Sequence, residues 1–221
     1  MICLLLPLPL MAQVILESQT YTPAMAIPDG STAGISQTVT FPSTIASITE
    51  VTLDLEISGG FTGDLYAYLQ YDTGFAILLN RPGRTSTSGI GSLGYLDSGM
   101  TIRLNDGAHN GDLHFYQDVL NPGGGTLTGT WQPDGRAVSP LSVVGSENRD
   151  ATLASFTGLP SGGDWTLFLA DLSSGGTATL ESWTLRVAGT AVPEPAQVAT
   201  LAGIGLLLAA LWHRTRRSLK R

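Results

Sequence analysis

The sequence predicts an all-β sandwich of about eight or more strands followed by one apolar C-terminal helix. Three observations carry that expectation. Glycine supplies 27 of 221 residues and proline 12, a density of helix breakers that suits short strands joined by many turns. Val51 to Ile57 and Ser182 to Val187 alternate apolar and polar residues without a break, which is the period of a half-buried strand. No segment before residue 195 repeats at a helical period.

Taken in order, residues 1–12 are an apolar run of signal-peptide type with no basic residue ahead of it. Cleavage after Ala12 is preferred to cleavage after Ala26, which would cut into the first strand. The domain is expected over 20–188, with strands at 35–41, 51–57, 65–71, 75–79, 100–104, 113–120, 165–170 and 182–187. The turns between them carry Gly59-Gly60, Pro82-Gly83, Asn105-Asp106-Gly107, Asp134-Gly135 and Ser174-Gly175-Gly176. Glycine supplies positive φ there, and Asn or Asp braces the turn through its side-chain oxygen. A linker follows at 189–194, then a helix at 195–212 and a basic tail at 213–221.

Charge separates the parts. Residues 13–193 hold seventeen acids and six arginines, a net of −11, while five of the eleven basic residues fall in the last eight positions. Such a body repels phosphate, so nucleic acid is excluded as a partner. The single cysteine, Cys3, excludes an intramolecular disulfide framework.

From Pro195 to Trp212 no residue is charged; as a helix this stretch spans roughly 27 Å, close to the ~30 Å hydrocarbon core. Arg214, Arg216 and Arg217 follow as a membrane stop on the cytoplasmic side. The run of Val192, Pro193, Glu194 and Pro195, the apolar helix and the arginines together resemble the PEP-CTERM sorting signal of bacterial exported proteins. The resemblance implies anchoring in the inner membrane and recognition near Pro193-Glu194-Pro195 by an exosortase-type membrane peptidase. Release or attachment at the cell surface follows, often among exopolysaccharide.

The body carries a second resemblance. Ile27-Pro28-Asp29 opens it, and Gly63-Asp64-Leu65 and Leu78-Leu79-Asn80-Arg81-Pro82-Gly83 follow. Gly129-Thr130-Trp131 precedes a final pair, Gly163-Asp164-Trp165-Thr166-Leu167 with Ser182-Trp183-Thr184-Leu185. These segments resemble the P domain (P/Homo B domain) that follows the catalytic unit of proprotein convertases and bacterial subtilisin-like proteases. The resemblance implies a jelly-roll-like sandwich, and some P-domain-like modules bind Ca²⁺.

Chemistry is sparse. His109 and His114 are the only histidines of the body, and both read as exposed loop or strand residues. A triad drawn from His109, Asp112 and a serine has no Gly-x-Ser-x-Gly elbow to present its nucleophile, so no catalytic residue is assigned and no enzyme is expected. Gly89-Ile90-Gly91-Ser92-Leu93-Gly94 matches the dinucleotide fingerprint only as a string, because no helix follows. Calcium takes oxygens from loops, and Asp64, Asp106, Asp112 and Asp171 in glycine-rich turns are its candidate ligands. Trp131, Trp165 and Trp183 are read as core rather than as a sugar platform, whereas Tyr66 and Tyr68 leave an exposed tyrosine face. The functional expectation is an exported, non-catalytic surface or extracellular-matrix protein with a structural or adhesive role. The alternative is an accessory module that docks on and stabilises a separate subtilisin-like serine protease.

Overall fold

The computed structural model describes residues 13–191, 203–209 and 212. Ten strands form two sheets: β1 (Val14–Tyr21), β2 (Met25–Ile27), β3 (Ser31–Phe41), β4 (Ile45–Phe61), β5 (Leu65–Tyr71), β6 (Gly74–Asn80), β7 (Ser98–Leu104), β8 (Leu127–Trp131), β9 (Gly163–Asp171) and β10 (Ala178–Ala191). One sheet runs β1-β10-β4-β7-β8, with β2 also on β10, and the other runs β3-β9-β5-β6. All pairings are antiparallel except β7 with β8. The expected all-β sandwich is the fold.

The inward residues are those the alternation marks. Leu53, Leu55 and Ile57 of β4 and Trp183, Leu185 and Val187 of β10 are buried, as are Leu65, Ala67 and Leu69 of β5 and Trp165, Leu167 and Leu169 of β9. Each large side chain so buried contributes about 1.5–3 kcal/mol. A register shift between Leu180 and Ser182 puts two half-buried residues, Glu181 and Ser182, between the inward Leu180 and Trp183. This bulge keeps both ends of the long strand facing the core.

The three buried tryptophans are core, as expected, and each has its indole N–H satisfied. Trp131 donates to Thr128 O at 2.9 Å, Trp165 to Ser161 O at 3.0 Å and Trp183 to Gln37 Oε1 at 2.6 Å.

Three differences from the sequence reading have physical causes. Residues 113–120 are not a strand: Leu113–Asp118 is a 3-10 turn, opened by Asp112, whose side chain accepts from His114 N. The strands β1 and β8 were not expected. In β1 the inward positions include Glu17 and Gln19, and in β8 only Leu127 and Trp131 are buried, so in neither does the sequence alternate apolar with polar residues. The sandwich accordingly begins at Val14 and ends at Ala191, taking in residues placed ahead of 20 and in the linker at 189–194. At that margin Ala191 N donates to Gln13 O at 3.0 Å.

Residues 203–209 are helical. Among the described residues no helix is long and apolar enough to cross a membrane; most of the 195–212 span lies outside them. The apolar run 1–12 also lies outside the described residues, as do Val192, Pro193, Glu194, Pro195, Arg214, Arg216 and Arg217.

Candidate functional site

The four aspartates expected to ligate calcium fall in three places. Asp106 caps the 3-10 turn Leu153–Phe156, accepting from Leu153 N, Ala154 N at 2.7 Å and Thr152 Oγ1 at 3.0 Å. Asp112 accepts from Arg136 Nη2 at 2.6 Å and from His114 N. Asp64 and Asp171 do come together, as set out below. Among the described residues no three His, Cys, Asp or Glu side chains converge so as to hold a metal ion. The structure thus places the four aspartates at three separate points, with Asp106 and Asp112 each accepting from donors of this chain.

His109 is exposed, but His114 is not: its side chain and that of Asp134 are both 0% exposed, with Nδ1 2.8 Å from Asp134 Oδ2. This corrects the expectation of two surface histidines. The pair is half of a hydrolase triad in outline, yet Nε2 lies 2.9 Å from the carbonyl oxygen of Arg84, not from a hydroxyl. Both ring nitrogens therefore face groups inside the protein, and neither is presented to a nucleophile. Arg136 completes the cluster through Asp112, Asp134 and the Gly145 carbonyl. Burial alone would lower its pKa, but the two carboxylates outweigh burial and hold it above its ordinary value. Asp112 and the His114–Asp134 pair together bind the loops 105–114, 132–136 and 145–149 into one polar core.

A second acid cluster sits where β5, β6 and β9 meet. Asp171 ends β9, paired with Ser31 on one side and Leu65 on the other. It is 1% exposed, and its Oδ1 has no hydrogen-bond partner. Asp64, in the 3-10 turn Thr62–Asp64, accepts from Arg81 Nη2 at 3.2 Å. Arg81 also donates from Nη2 to Ser173 Oγ at 2.8 Å and from Nε to Gly63 O at 3.0 Å. Asp29, exposed in the turn after β2, accepts from Gly175 N. Burial first, then the charges of Asp64 and Asp29, push the Asp171 carboxyl up to about 6. Burial also raises Asp64, against the opposing contacts of Ser173 and Arg81.

Directly beyond this cluster three loops meet. Thr62 N donates to Asp97 O at 2.9 Å and Gly63 N to Tyr95 O at 2.8 Å. Arg84 donates to the carbonyls of Pro140 and Leu141 at 2.6 and 2.9 Å, tying 139–141 to the loop after β6. Asp97 accepts from Tyr116 Oη, Gln117 Nε2 and Gly124 N at 2.6–2.7 Å, tying in residues 116–124. The Tyr95 and Tyr116 rings meet edge to face at 4.7 Å. Burial and the neighbouring Asp97 carboxylate raise the Tyr116 phenol, which therefore stays a donor.

These stitched loops carry Ile90, Leu93, Leu96, Val119, Leu120 and Leu141, all exposed, with Ile90 at 101%. Within residues 13–191 the only other exposed large hydrophobics are Val14, Leu16 and Phe75. Six of nine thus share one end of the sandwich. Of these, Ile90 and Leu93 fall in the false dinucleotide fingerprint 89–94, and Val119 and Leu120 in the segment 113–120 expected as a strand. The signal that could have found this end was Ile90, Leu93 and Leu96 among glycines and serines, where apolar side chains have no strand to pack on.

The tyrosine face expected from the sequence is present but is used internally. Tyr68 and Phe168 are cross-strand partners whose rings stack 4.8 Å apart at 14°, and Phe75 and Tyr66 pack against them. Rings stacked at strand spacing cover one another's faces, which leaves little flat surface for a sugar.

No protein-family model matches the chain, and no curated protein matches it significantly. Solved structures it resembles include the Aeromonas sobria serine protease in complex with the chaperone, at 16% identity and a TM-score of 0.44. The serine protease of Aeromonas sobria is similar at 17% identity and 0.43. Each match covers 81% of this chain, which spans 28% of the length of the other.

Proposed function

We propose that this chain is an exported, non-catalytic β-sandwich module that acts by docking on a separate subtilisin-like serine protease, seating its apolar loop end on that partner. The observation that carries the reading is the set of six exposed aliphatic side chains on the loop after β6 and the two loops hydrogen-bonded to it. Apolar side chains gathered in this way mark interaction sites, and their fixed backbone lowers the ordering cost of binding. The P-domain resemblance names the partner class, and with it a jelly-roll-like path for the strands. The absence of catalysis is supported by His114, whose two nitrogens both face internal acceptors.

A second reading has its own support. The Val192-Pro193-Glu194-Pro195 motif, the apolar stretch and the basic tail favour a protein sorted by an exosortase-type peptidase to the cell surface or an exopolysaccharide matrix. There it would have a structural or adhesive role. Purification of the exported body after mild cross-linking separates the two. A stoichiometric subtilisin-like protease, lost with Ile90→Asp plus Leu93→Asp, supports docking. Recovery of matrix polysaccharide alone, unchanged by that double substitution, supports the matrix role and sinks the docking proposal.

A further inference from the structure

We infer that the outer face of the first sheet, where Arg103 and Arg186 share one carboxylate, binds an acidic polysaccharide, seating one hexuronate unit on the two arginines and its neutral neighbour beside them. The site lies apart from the apolar loops; its biological meaning rests on the second reading above, to which it gives a ligand class.

The alternation that buries Leu53 and Leu55 turns Thr52 and Asp54 outward on β4. Asp54 stands opposite Thr184 of β10 and Arg103 of β7, while Arg186 stands opposite Thr52. Arg103 donates to Asp54 from Nε at 2.6 Å and from Nη2 at 3.0 Å. Arg186 does so from Nε at 3.2 Å and from Nη2 at 2.8 Å. In both, Nη1 donates to nothing among the described residues. Arg84, Arg136 and Arg149, by contrast, spend Nε, Nη1 and Nη2 on groups of this chain. The side chains of Arg103 and Arg186 are 47% and 33% exposed, so their remaining N–H groups are open to a ligand. Two planar guanidiniums, held in place by one aspartate, suit a carboxylate.

Two hollows flank this trio and share Arg103 and Thr130. One, of about 370 Å³, holds both arginines, with Thr52 and Asn105 as polar partners and Leu16 and Ala188 as an apolar wall. Glu50 also lines it and accepts from Asn105 Nδ2. Its charge disfavours a multiply charged anion and favours a ligand with one carboxylate among hydroxyls. The other hollow, of about 430 Å³, adds Glu56, Thr101, Ser182 and Thr184 and no further cation, which suits an uncharged sugar. Both volumes lie in the range of small-molecule sites, roughly 300–1,000 Å³. The strands β4, β7 and β10 are paired on both sides, so a peptide would find no strand to extend here. Recognition falls to side chains: guanidinium, hydroxyl and amide groups for the edges of a sugar ring, and Leu16 for its C–H face.

The test uses the full chain in detergent, read by calorimetry and by the guanidinium N–H resonances of the arginines. A hyaluronan tetrasaccharide, in which glucuronate alternates with neutral N-acetylglucosamine, is expected to bind and to shift the Arg103 and Arg186 resonances. Arg103→Gln and Arg186→Gln each weaken binding at least about tenfold. Leu16→Glu, at an exposed position, does the same with the trio intact, and serves if an arginine variant fails to fold. Silence at millimolar tetrasaccharide overturns the inference. So does equal binding of chitotetraose, which has no carboxylate, or of tetraglutamate, which has no sugar and would make this face a site for acidic peptides. Equal binding of tetragalacturonate overturns the neutral place given to the second hollow. Recovery of a matrix polysaccharide that ignores Arg186→Gln keeps the matrix role and overturns this site alone.

Discussion

The Nδ1 atom of His114 lies 2.8 Å from Oδ2 of Asp134, with both side chains wholly out of solvent. Replacing the ring leaves the Asp134–Arg136 ion pair in place but removes the Nδ1 partner of Asp134. His114→Ala is expected to cost about 1–3 kcal/mol in urea unfolding. Any peptide or ester hydrolysis by a folded preparation should be indifferent to His109→Ala; activity that vanished with it would restore an enzymatic reading.

Asp171 sets a pH dependence of definite sign. Its carboxyl is raised from 3.8 to about 6 in the folded chain, so the folded state binds the extra proton. Its contribution is complete below the unfolded pKa and is lost as pH rises through about 6. The span corresponds to about 3 kcal/mol. The difference in unfolding free energy between the unaltered chain and Asp171→Asn, followed across that window, should change by an amount of this order. A flat difference would contradict it.

Asp54 works in the opposite direction. Burial pushes its carboxyl up, but Arg103 and Arg186 on the two neighbouring strands outweigh burial and hold it below its ordinary value. Its support is present at neutral pH and fades as pH falls through the lowered value. The three side chains are partly solvated, so Asp54→Asn should cost only about 1 kcal/mol. That loss should shrink in high salt, which denaturation at two ionic strengths would show.

Gly94 holds the apolar loop against its support. Its φ is +73°, and a Cβ there would lie 2.5 Å from Pro82 O and 2.8 Å from the Cα of Gly63. Gly94→Ala is expected to destabilise the chain by about 2–3 kcal/mol and to weaken protease binding. Calorimetry with a binding assay would check both, and a neutral substitution would show that the loop is not fixed by this contact.

How much was legible depended on where the partner residues lie in the chain. Leu53, Leu55 and Ile57 announce their strand because alternation is local, and the Trp183 strand does the same. Glu17 and Gln19 conceal β1 because polar side chains occupy its inward positions. The buried state of His114 was not legible, since its acceptors are Asp134 and Arg84, twenty and thirty positions away. Asp64 and Asp171 were picked as turn acids, but their meeting across 107 positions follows from the pairing of Leu65 with Asp171. Composition carries no trace of such a register.

The hydrogen bond from Ala191 N to Gln13 O brings the two margins of the sandwich together. The body's two boundaries lie side by side, beside Ile45 at the start of β4, while the 3-10 turn and the apolar loops lie past Phe61 at its far end. At about 3.3 Å per residue, the stretch from Ile45 to Ile57, before the left-handed Gly59 and Gly60, separates these poles by up to about 40 Å. Ile90 and its apolar neighbours therefore stand at the pole opposite the one where Gln13 and Ala191 meet, and a tag placed beside Gln13 would leave them uncovered.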